Sequence, residues 1–312
     1  MPLYNKAPYV RKAVESVIGQ MYVDWELVIV DDCSTDGSCD VVANFSDSRI
    51  RLVRLEKNGG VGAARNQGVA ESAAPFICFL DADDWWEPTF LEEMSVLINE
   101  FPDAGIYGTN YTIVNETKHK TRVAKIGVED VFEKGYINYC QVYAKTMYMP
   151  LWTGAVCIPR LVFDETGGFP EGIKLGEDFL LWIRIALKHK VVLLNKSLSN
   201  YNQDVDVTYR GTHHLRNPKE HMLWNLGDLE SEEESNPDYK RLIDNLRTYE
   251  LMPFLLTKRY RNMARKELSK VDWSFQTENV RKLYQAPIRI LKVRQLFLVL
   301  GSFVKTSIRK IR

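Results

Sequence analysis

The first half of the chain alternates short apolar segments with segments of helical periodicity, and this alternation restricts the fold more than any other feature. Predicted strands lie at 27–30, 50–55, 76–80 and 104–114, and predicted helices at 7–20, 38–45, 63–69 and 88–100. Such alternation is typical of βαβ units. The sequence therefore predicts an α/β fold: a Rossmann-like, mostly parallel sheet flanked by helices.

The pattern is weaker in the second half of the chain. Residues 116–148 have no clear period and are expected to form an irregular insert. The elements predicted after it are a strand at 152–158, a helix at Glu177–Lys188, a short strand at 191–194 and a helix at 221–229. The composition shifts near residue 208, which predicts one domain over 1–208 and a helical C-terminal extension over 209–312.

The first strand of such a sheet is absent from the pattern. A doubly wound sheet normally begins with a buried apolar strand that leads into the first helix. This chain opens on Met1, Pro2, Leu3, Tyr4 and Asn5, which already read as a turn. The first strand is therefore expected to be missing: either another segment supplies it or the true N-terminus lies upstream of Met1, and we favour the second explanation.

Composition excludes several classes of protein. The chain has 312 residues, with 41 Lys and Arg against 41 Asp and Glu, so it lacks the basic excess of a protein that binds nucleic acid along its length. The five cysteines are odd in number and lack metal-ligand spacing, which predicts free thiols. A signal peptide and an apolar run of membrane-spanning length are both absent from the sequence, and a cytoplasmic location is predicted.

Carboxylates follow two of the predicted apolar strands. Asp31 and Asp32 end the first, and Asp81, Asp83 and Asp84 end another. Ligands of open α/β sheets bind at this edge, and an Asp-x-Asp pair can hold Mg²⁺ or Mn²⁺, which neutralises a diphosphate. Strands also end in Asp for turn and capping reasons, so for either cluster alone both interpretations stand equal.

Five motifs in order resemble family 2 of the inverting glycosyltransferases, which have the GT-A fold. They are Pro2-x-Tyr4-Asn5, VDDCSTDGS at 30–38, NGGVGAARNQG at 58–68, FLDADD at 79–84, and GGF at 167–169 continued by GEDFLLWIR at 176–184. The resemblance covers residues 2–205, about two-thirds of the chain. It implies a donor half over about 1–115 and an acceptor half over about 116–208.

The resemblance implies a site for a nucleotide-diphospho-sugar. The implied nucleotide-binding residues are Pro2, Tyr4, Asn5, Asp32, Arg65 and Asp81. Tyr4 would flank the base and Asp32 would accept from the N3–H of a uracil-like ring, which indicates a UDP-sugar. Arg65 would reach the base edge or the diphosphate, because a guanidinium forks onto phosphate oxygens.

The resemblance also implies the metal and catalytic residues. Asp83 would bind Mn²⁺ or Mg²⁺, with His213 as a further candidate ligand. Asp178 would be the general base that inverting transfer requires. Glu177 and Trp152 would contact the acceptor, a glycan or lipid-linked molecule, or the sugar. Asp84 is expected to cap the helix that begins near residue 88.

Three other interpretations of these residues exist. Gly59, Gly60 and Gly62 suggest a dinucleotide fingerprint, but Arg65 stands where that motif needs Gly or Ala. A phosphohydrolase with Asp81 as nucleophile does not fit the residues after Asp83. A protein that binds a sugar nucleotide without turnover stays open.

The end of the chain is strongly basic. Nine Lys or Arg and no acid follow Glu278, interleaved with an apolar stripe. A basic amphipathic helix of this kind can lie on an anionic membrane surface, or it can pack its stripe on the domain. Peripheral attachment to the cytoplasmic face through 285–312 is therefore one of two predictions.

Overall fold

Three parallel strands form the first sheet. They are β1 (Pro2–Leu3), β2 (Leu27–Asp31) and β3 (Ile50–Arg54), in the order β1-β2-β3. Every residue of β2 is buried, as the uninterrupted apolar run predicts. The intervening helices are α1 (Val10–Ile18), α2 (Ser38–Ala43) and, after β3, α3 (Val61–Glu71).

The expectation that the first strand is missing is corrected by β1. Pro2 pairs with Val30 and Leu3 with Asp31, both in parallel. The amino group of Met1 extends the pairing by donating to the carbonyl of Val28 at 2.8 Å. The strand escaped sequence reasoning because it is only two residues long and one of them is proline.

Among the described residues, the second sheet has seven strands. They are β4 (Phe76–Cys78), β5 (Trp85–Trp86), β6 (Ala104–Asn115), β7 (Lys120–Val123), β8 (Lys134–Ile137), β9 (Val156–Pro159) and β10 (Lys190–Asn202). The order is β4-β9-β6-β10-β5, with β7 on β6 and β8 on β10. β6 and β10 run parallel, whereas the other pairs are antiparallel. The parallel pairing that the sequence predicts is therefore confined to the first sheet and to this central pair.

Several predictions for the second half need correction. Residues 116–148 are not irregular, because they contain β7, β8 and helix α5 (Tyr139–Thr146). The strand predicted at 152–158 is a 3-10 turn, Thr153–Ala155, followed by β9. The strand predicted at 191–194 extends over 13 residues as β10. Helices α4 (Phe90–Glu100), α6 (Arg160–Thr166) and α7 (Glu177–Lys188) complete this region, and the bounds of α7 match the prediction.

The structure, a computed structural model, describes residues 1–205 and 217–292. The chain divides into two compact units, Met1–Ser235 and Asn236–Arg312. The domain boundary predicted at residue 208 lies outside the described residues, as does the chain beyond residue 292. No described helix is both long and apolar enough to span a bilayer. All five cysteines are free thiols, as predicted.

Short helices make up the rest of the described chain. The stretch predicted as a helix at 221–229 consists of two 3-10 turns, Met222–Trp224 and Gly227–Glu230. The helices that follow are α8 (Glu232–Ser235), α9 (Pro237–Glu250), α10 (Met252–Leu256), α11 (Arg261–Leu268) and α12 (Glu278–Gln285). Within the second unit, α9 buries Tyr239, Leu242 and Leu246 on one face.

Candidate active site

Asp32 fixes the turn that precedes α3. Its carboxylate is buried, and its two oxygens accept from the backbone N–H groups of Gly59 and Gly60 at 2.7 and 2.9 Å. Gly60 has a φ of +87°, a conformation that side chains disfavour, so glycine is required there. A carboxylate has about four acceptor positions, so Asp32 can still accept from about two further donors.

The segment after β1 runs beside this turn. The backbone N–H of Asp32 donates to the carbonyl of Leu3 at 2.8 Å, which places Pro2, Tyr4 and Asn5 next to it. Asn5 has a φ of +51°, and its side-chain oxygen accepts from the N–H of Thr35 at 2.8 Å. Tyr4 is 47% exposed, so it is accessible to a ligand.

Arg65 joins two parts of the site that are far apart in sequence. It lies on α3 and is buried, and its guanidinium contacts Asp81 Oδ1 at 2.8 Å and Glu177 Oε1 at 3.1 Å. Burial works against this charge, but the two carboxylates outweigh it and raise the Arg65 pKa. The end of β4 and the start of α7 are thereby held together.

The other acids of the 81–84 turn have different partners. Asp83 Oδ2 is 2.6 Å from the ammonium of Lys6, while burial and the charge of Asp81 raise the Asp83 pKa. The expectation that Asp84 caps α4 is wrong. Its carboxylate is buried and accepts from the N–H of Asn202 at 2.8 Å and from the indole of Trp152 at 3.4 Å, so it binds β10 instead.

Two carboxylates begin α7. Gly176, with a φ of +82°, precedes the helix, and its missing side chain leaves room for Met222. Asp178 Oδ2 accepts from the Thr153 hydroxyl at 2.8 Å, which orients this carboxylate. Glu177 Oε1 lies 3.1 Å from Arg65 Nη1, a different partner from that of Asp178.

Glu177 keeps its proton more readily than an ordinary glutamate. Burial, with the adjacent charge of Asp178, raises its pKa from 4.5 to about 7. The pull of Arg65 in the opposite direction is smaller, because that guanidinium is shared with Asp81. The neighbouring acids of one helix turn therefore differ in burial and in partners.

Trp152 forms part of an aromatic cluster beside the acids. Its ring centroid is 5.5 Å from that of Tyr111 and 4.3 Å from that of Tyr201. Trp86, in contrast, stacks on Phe90 at 4.3 Å and is buried, as expected of a packing residue. Trp152 thus borders the site, while Trp86 belongs to the core.

The donor set suits a cation that is shared with a substrate. The described residues include no group of three or more His, Cys, Asp or Glu that could hold a metal without help. Mg²⁺ and Mn²⁺ in nucleotide sites commonly take one or two carboxylates and complete their coordination with phosphates and water. Asp83 is the carboxylate expected to bind the metal, Asp81 lies two residues before it, and His213 lies outside the described residues.

Sequence reasoning missed Lys6 and Thr153. Lys6 follows directly after the Tyr4-Asn5 motif, and Thr153 follows Trp152, but neither belongs to a recognisable pattern. Their partners, Asp83 and Asp178, are 77 and 25 residues away. The only available signal was adjacency to a motif.

Several known proteins are similar to this chain. The model of glycosyl transferase family 2 matches residues 1–153. The glucosyltransferase WfgD of Escherichia coli, which its name describes as using UDP-Glc and α-D-GlcNAc-diphosphoundecaprenol, is 38% identical over 196 residues. That match covers 62% of this chain and 71% of WfgD. The chain belongs to glycosyltransferase family 2.

Two other relatives of this chain are much longer than the region that they share with it. GlyA of Streptococcus pneumoniae is 34% identical over 210 residues, which is 64% of this chain but 30% of GlyA. The putative teichuronic acid glycosyltransferase TuaG of Bacillus subtilis is 42% identical over 94 residues, 30% of this chain and 37% of TuaG. The chain thus spans about a third of the length of these two relatives.

Solved structures confirm the GT-A fold. The structure of S. aureus TarS 1–349 with UDP-GlcNAc superposes on this chain with a TM-score of 0.59 at 18% identity. The match covers 97% of this chain and 79% of the TarS chain. The mannosyltransferase PcManGT of Pyrobaculum calidifontis, with GDP-Man and Mn²⁺, has a TM-score of 0.56 at 18% identity. The match covers 96% of this chain and 79% of the PcManGT chain.

Proposed function

We propose that this chain is a metal-dependent inverting glycosyltransferase that moves a sugar from a UDP-sugar to a hydroxyl group of a glycan or lipid-linked acceptor. The observation that carries the proposal is the contact of Arg65 with both Asp81 and Glu177. It brings the acids that follow β4 next to the acids that begin α7. A donor site and a general base need this proximity, because the base acts on the oxygen that attacks the donor sugar.

Asp178 is proposed as the base. Its Oδ2 takes the proton from the acceptor hydroxyl as that oxygen forms a bond to the anomeric carbon. The bond from the anomeric carbon to the diphosphate breaks, and the nucleoside diphosphate leaves with the electron pair. Thr153 positions the carboxylate through its hydroxyl. One carboxylate suffices for a single displacement, which inverts the anomeric centre.

The remaining residues are proposed to hold the donor. Tyr4 contacts the base, Pro2 and Asn5 shape its pocket, and Asp32 accepts a hydrogen bond from the base. Asp83 would bind Mn²⁺ or Mg²⁺, which when bound offsets charge on the diphosphate. Glu177 and Trp152 are proposed to face the acceptor or sugar, and His213 stays a candidate ligand of the metal.

The donor and acceptor classes rest on the relatives. The name of WfgD specifies UDP-Glc and a lipid diphosphate, and one TarS structure holds UDP-GlcNAc. An envelope glycan or lipid-linked acceptor is therefore proposed here too. Such an acceptor would be met at a membrane, which agrees with the proposal that 285–312 attach the protein to the cytoplasmic face.

A panel of nucleotide sugars, each with Mn²⁺ and a lipid-linked or soluble glycan acceptor, tests the function. We expect Asp178→Asn to abolish transfer while donor affinity stays within about twofold, because the amide cannot take the proton. Asp164→Asn, an exposed acid on α6, is the matched control and should transfer normally. Equal loss of transfer and donor binding in Asp178→Asn would contradict the role of base. Donor binding without turnover in the wild type would favour the non-catalytic alternative.

A further inference from the structure

Lys6 contacts the carboxylate that is proposed to bind the metal. Its ammonium is 2.6 Å from Asp83 Oδ2, and only 15% and 18% of the two side chains are exposed. The proposed reaction gives this lysine no part. Because a charge pair shielded from solvent is stronger than one at the surface, the contact affects what else Asp83 can bind.

The backbone around Lys6 is firmly held. Three consecutive N–H groups donate to side chains of the turn before α2 and its first residue. Asn5 donates to Ser34 Oγ at 3.0 Å, Lys6 to Ser38 Oγ at 2.8 Å and Ala7 to Asp36 Oδ2 at 2.9 Å. The backbone of Lys6 is thus fixed, and its side chain extends from the nucleotide-side turn to Asp83.

The charges of the site make this contact consequential. Arg65, a second cation of the site, is already engaged by Asp81 and Glu177. A divalent cation that approaches Asp83 therefore meets an ammonium that occupies one carboxylate oxygen, and the two like charges repel. The ammonium leaves at little cost only if another anion receives it, and a diphosphate is such an anion.

We propose that Lys6 is a built-in counter-cation of Asp83, which keeps the affinity for the metal low until a nucleoside diphosphate enters. Metal and nucleotide then bind cooperatively, and each raises the affinity for the other by the same factor. The proposal rests on the proposed function, since it takes Asp83 as the metal ligand. Lys6 acts here through Asp83 and sets how strongly metal binding depends on the nucleotide.

Binding of Mn²⁺, followed by electron paramagnetic resonance with and without UDP at pH 8, tests this. In the wild type we expect weak binding of Mn²⁺ alone and clear tightening by UDP. Lys6→Met should bind Mn²⁺ alone about tenfold more tightly, because the competing charged hydrogen bond is removed. The tightening by UDP should shrink by about the same factor.

Two variants serve as controls. Lys6→Arg keeps the charge and should bind Mn²⁺ alone about as weakly as the wild type. Lys12→Met removes a lysine of α1 whose ammonium pairs with Glu116 at 2.9 Å, and should also match the wild type. An unchanged unfolding midpoint in each variant shows that the fold is intact.

The outcomes separate the inference from the proposed function. If Lys6→Met binds Mn²⁺ alone no more tightly than the wild type, while the wild type binds Mn²⁺ with UDP and transfers sugar, the inference is overturned and the function stands. If the wild type binds no Mn²⁺ even with UDP, the metal-dependent function fails, and the inference fails with it.

Discussion

At the scale of single residues, the site depends on how one guanidinium is divided between two carboxylates. Arg65 is buried, and its fork reaches Asp81 and Glu177 together. A lysine at this position would offer a point charge and could not hold both acids in plane. Arg65 is shared between Glu177 and Asp81. Its attraction therefore lowers the Glu177 pKa by less than burial and the adjacent charge of Asp178 raise it.

The raised pKa of Glu177 makes stability depend on pH. Its pKa is about 7 in the folded protein against 4.5 ordinarily, so between these values the folded state binds the proton and the unfolded state does not. The contribution of Glu177 to the free energy of unfolding therefore falls as pH rises from 4.5 to 7 and is constant above. We predict that the wild type loses up to about 3 kcal/mol relative to Glu177→Gln across this window. Urea unfolding of both proteins at several pH values measures it, and a difference independent of pH would contradict the prediction.

The residues of the site could be predicted only where a motif marks them. Asp32, Asp81, Asp83 and Asp178 stand at strand ends and a helix start, where sheet topology gives carboxylates a function. Contacts between distant side chains leave no such mark. The Lys6 and Thr153 contacts exist because separate elements bring them to their partners, and the Asp84 carboxylate turns to β10 rather than to α4 for the same reason.

At the scale of elements, the start of α7 is fixed by the absence of a side chain. A Cβ on Gly176 would be 2.5 Å from Met222 Sδ and 3.0 Å from its Cβ, and the residue has a φ of +82°. We predict that Gly176→Ala lowers the free energy of unfolding by about 3 kcal/mol, from backbone strain and overpacking together. Transfer should also fall, since Glu177 and Asp178 follow directly.

Gly172→Ala is the matched control for this prediction. Gly172 has a similar φ of +76°, but a Cβ there meets nothing within 4 Å. Gly172→Ala should lower the free energy of unfolding only through backbone strain, by about 1 kcal/mol, and should leave transfer intact. Urea unfolding and transfer assays of both variants compare the two glycines. Equal losses would show that contact with Met222 is unimportant.

Elements were predictable where local pattern and tertiary pairing agree. Helix α7 has uninterrupted helical periodicity and strand β2 is an uninterrupted apolar run, and both form where expected. In β10 the apolar run stops at Leu194, yet the strand continues because β6 pairs with it through Asn202, across register shifts. All four residues of β7 are exposed and only Val123 is apolar, so the segment lacks an apolar pattern and its pairing with β6 makes it a strand.

At the scale of the whole molecule, a balanced total charge conceals a basic C-terminus. The 41 basic and 41 acidic residues cancel, but the chain after Glu278 has nine Lys or Arg and no acid. Near an anionic bilayer each such cation contributes on the order of 1 kcal/mol. The alternating apolar residues of this segment would add burial in the interface. This charge separation is the reason for proposing that the C-terminal segment attaches to a membrane surface.

We predict that the full chain floats with vesicles that contain anionic lipid, that a chain ending at Gln285 does not, and that salt weakens the attachment. Salt should act because exposed charges are screened over about 8 Å at physiological ionic strength. Vesicles of neutral lipid are the control and should recover little protein, since apolar burial alone then drives binding. Flotation in a density gradient, with transfer to a soluble acceptor measured in parallel, makes loss of attachment distinguishable from loss of folding. If the shortened chain transfers sugar and also floats as well as the full chain, the basic segment packs on the protein and does not bind the membrane.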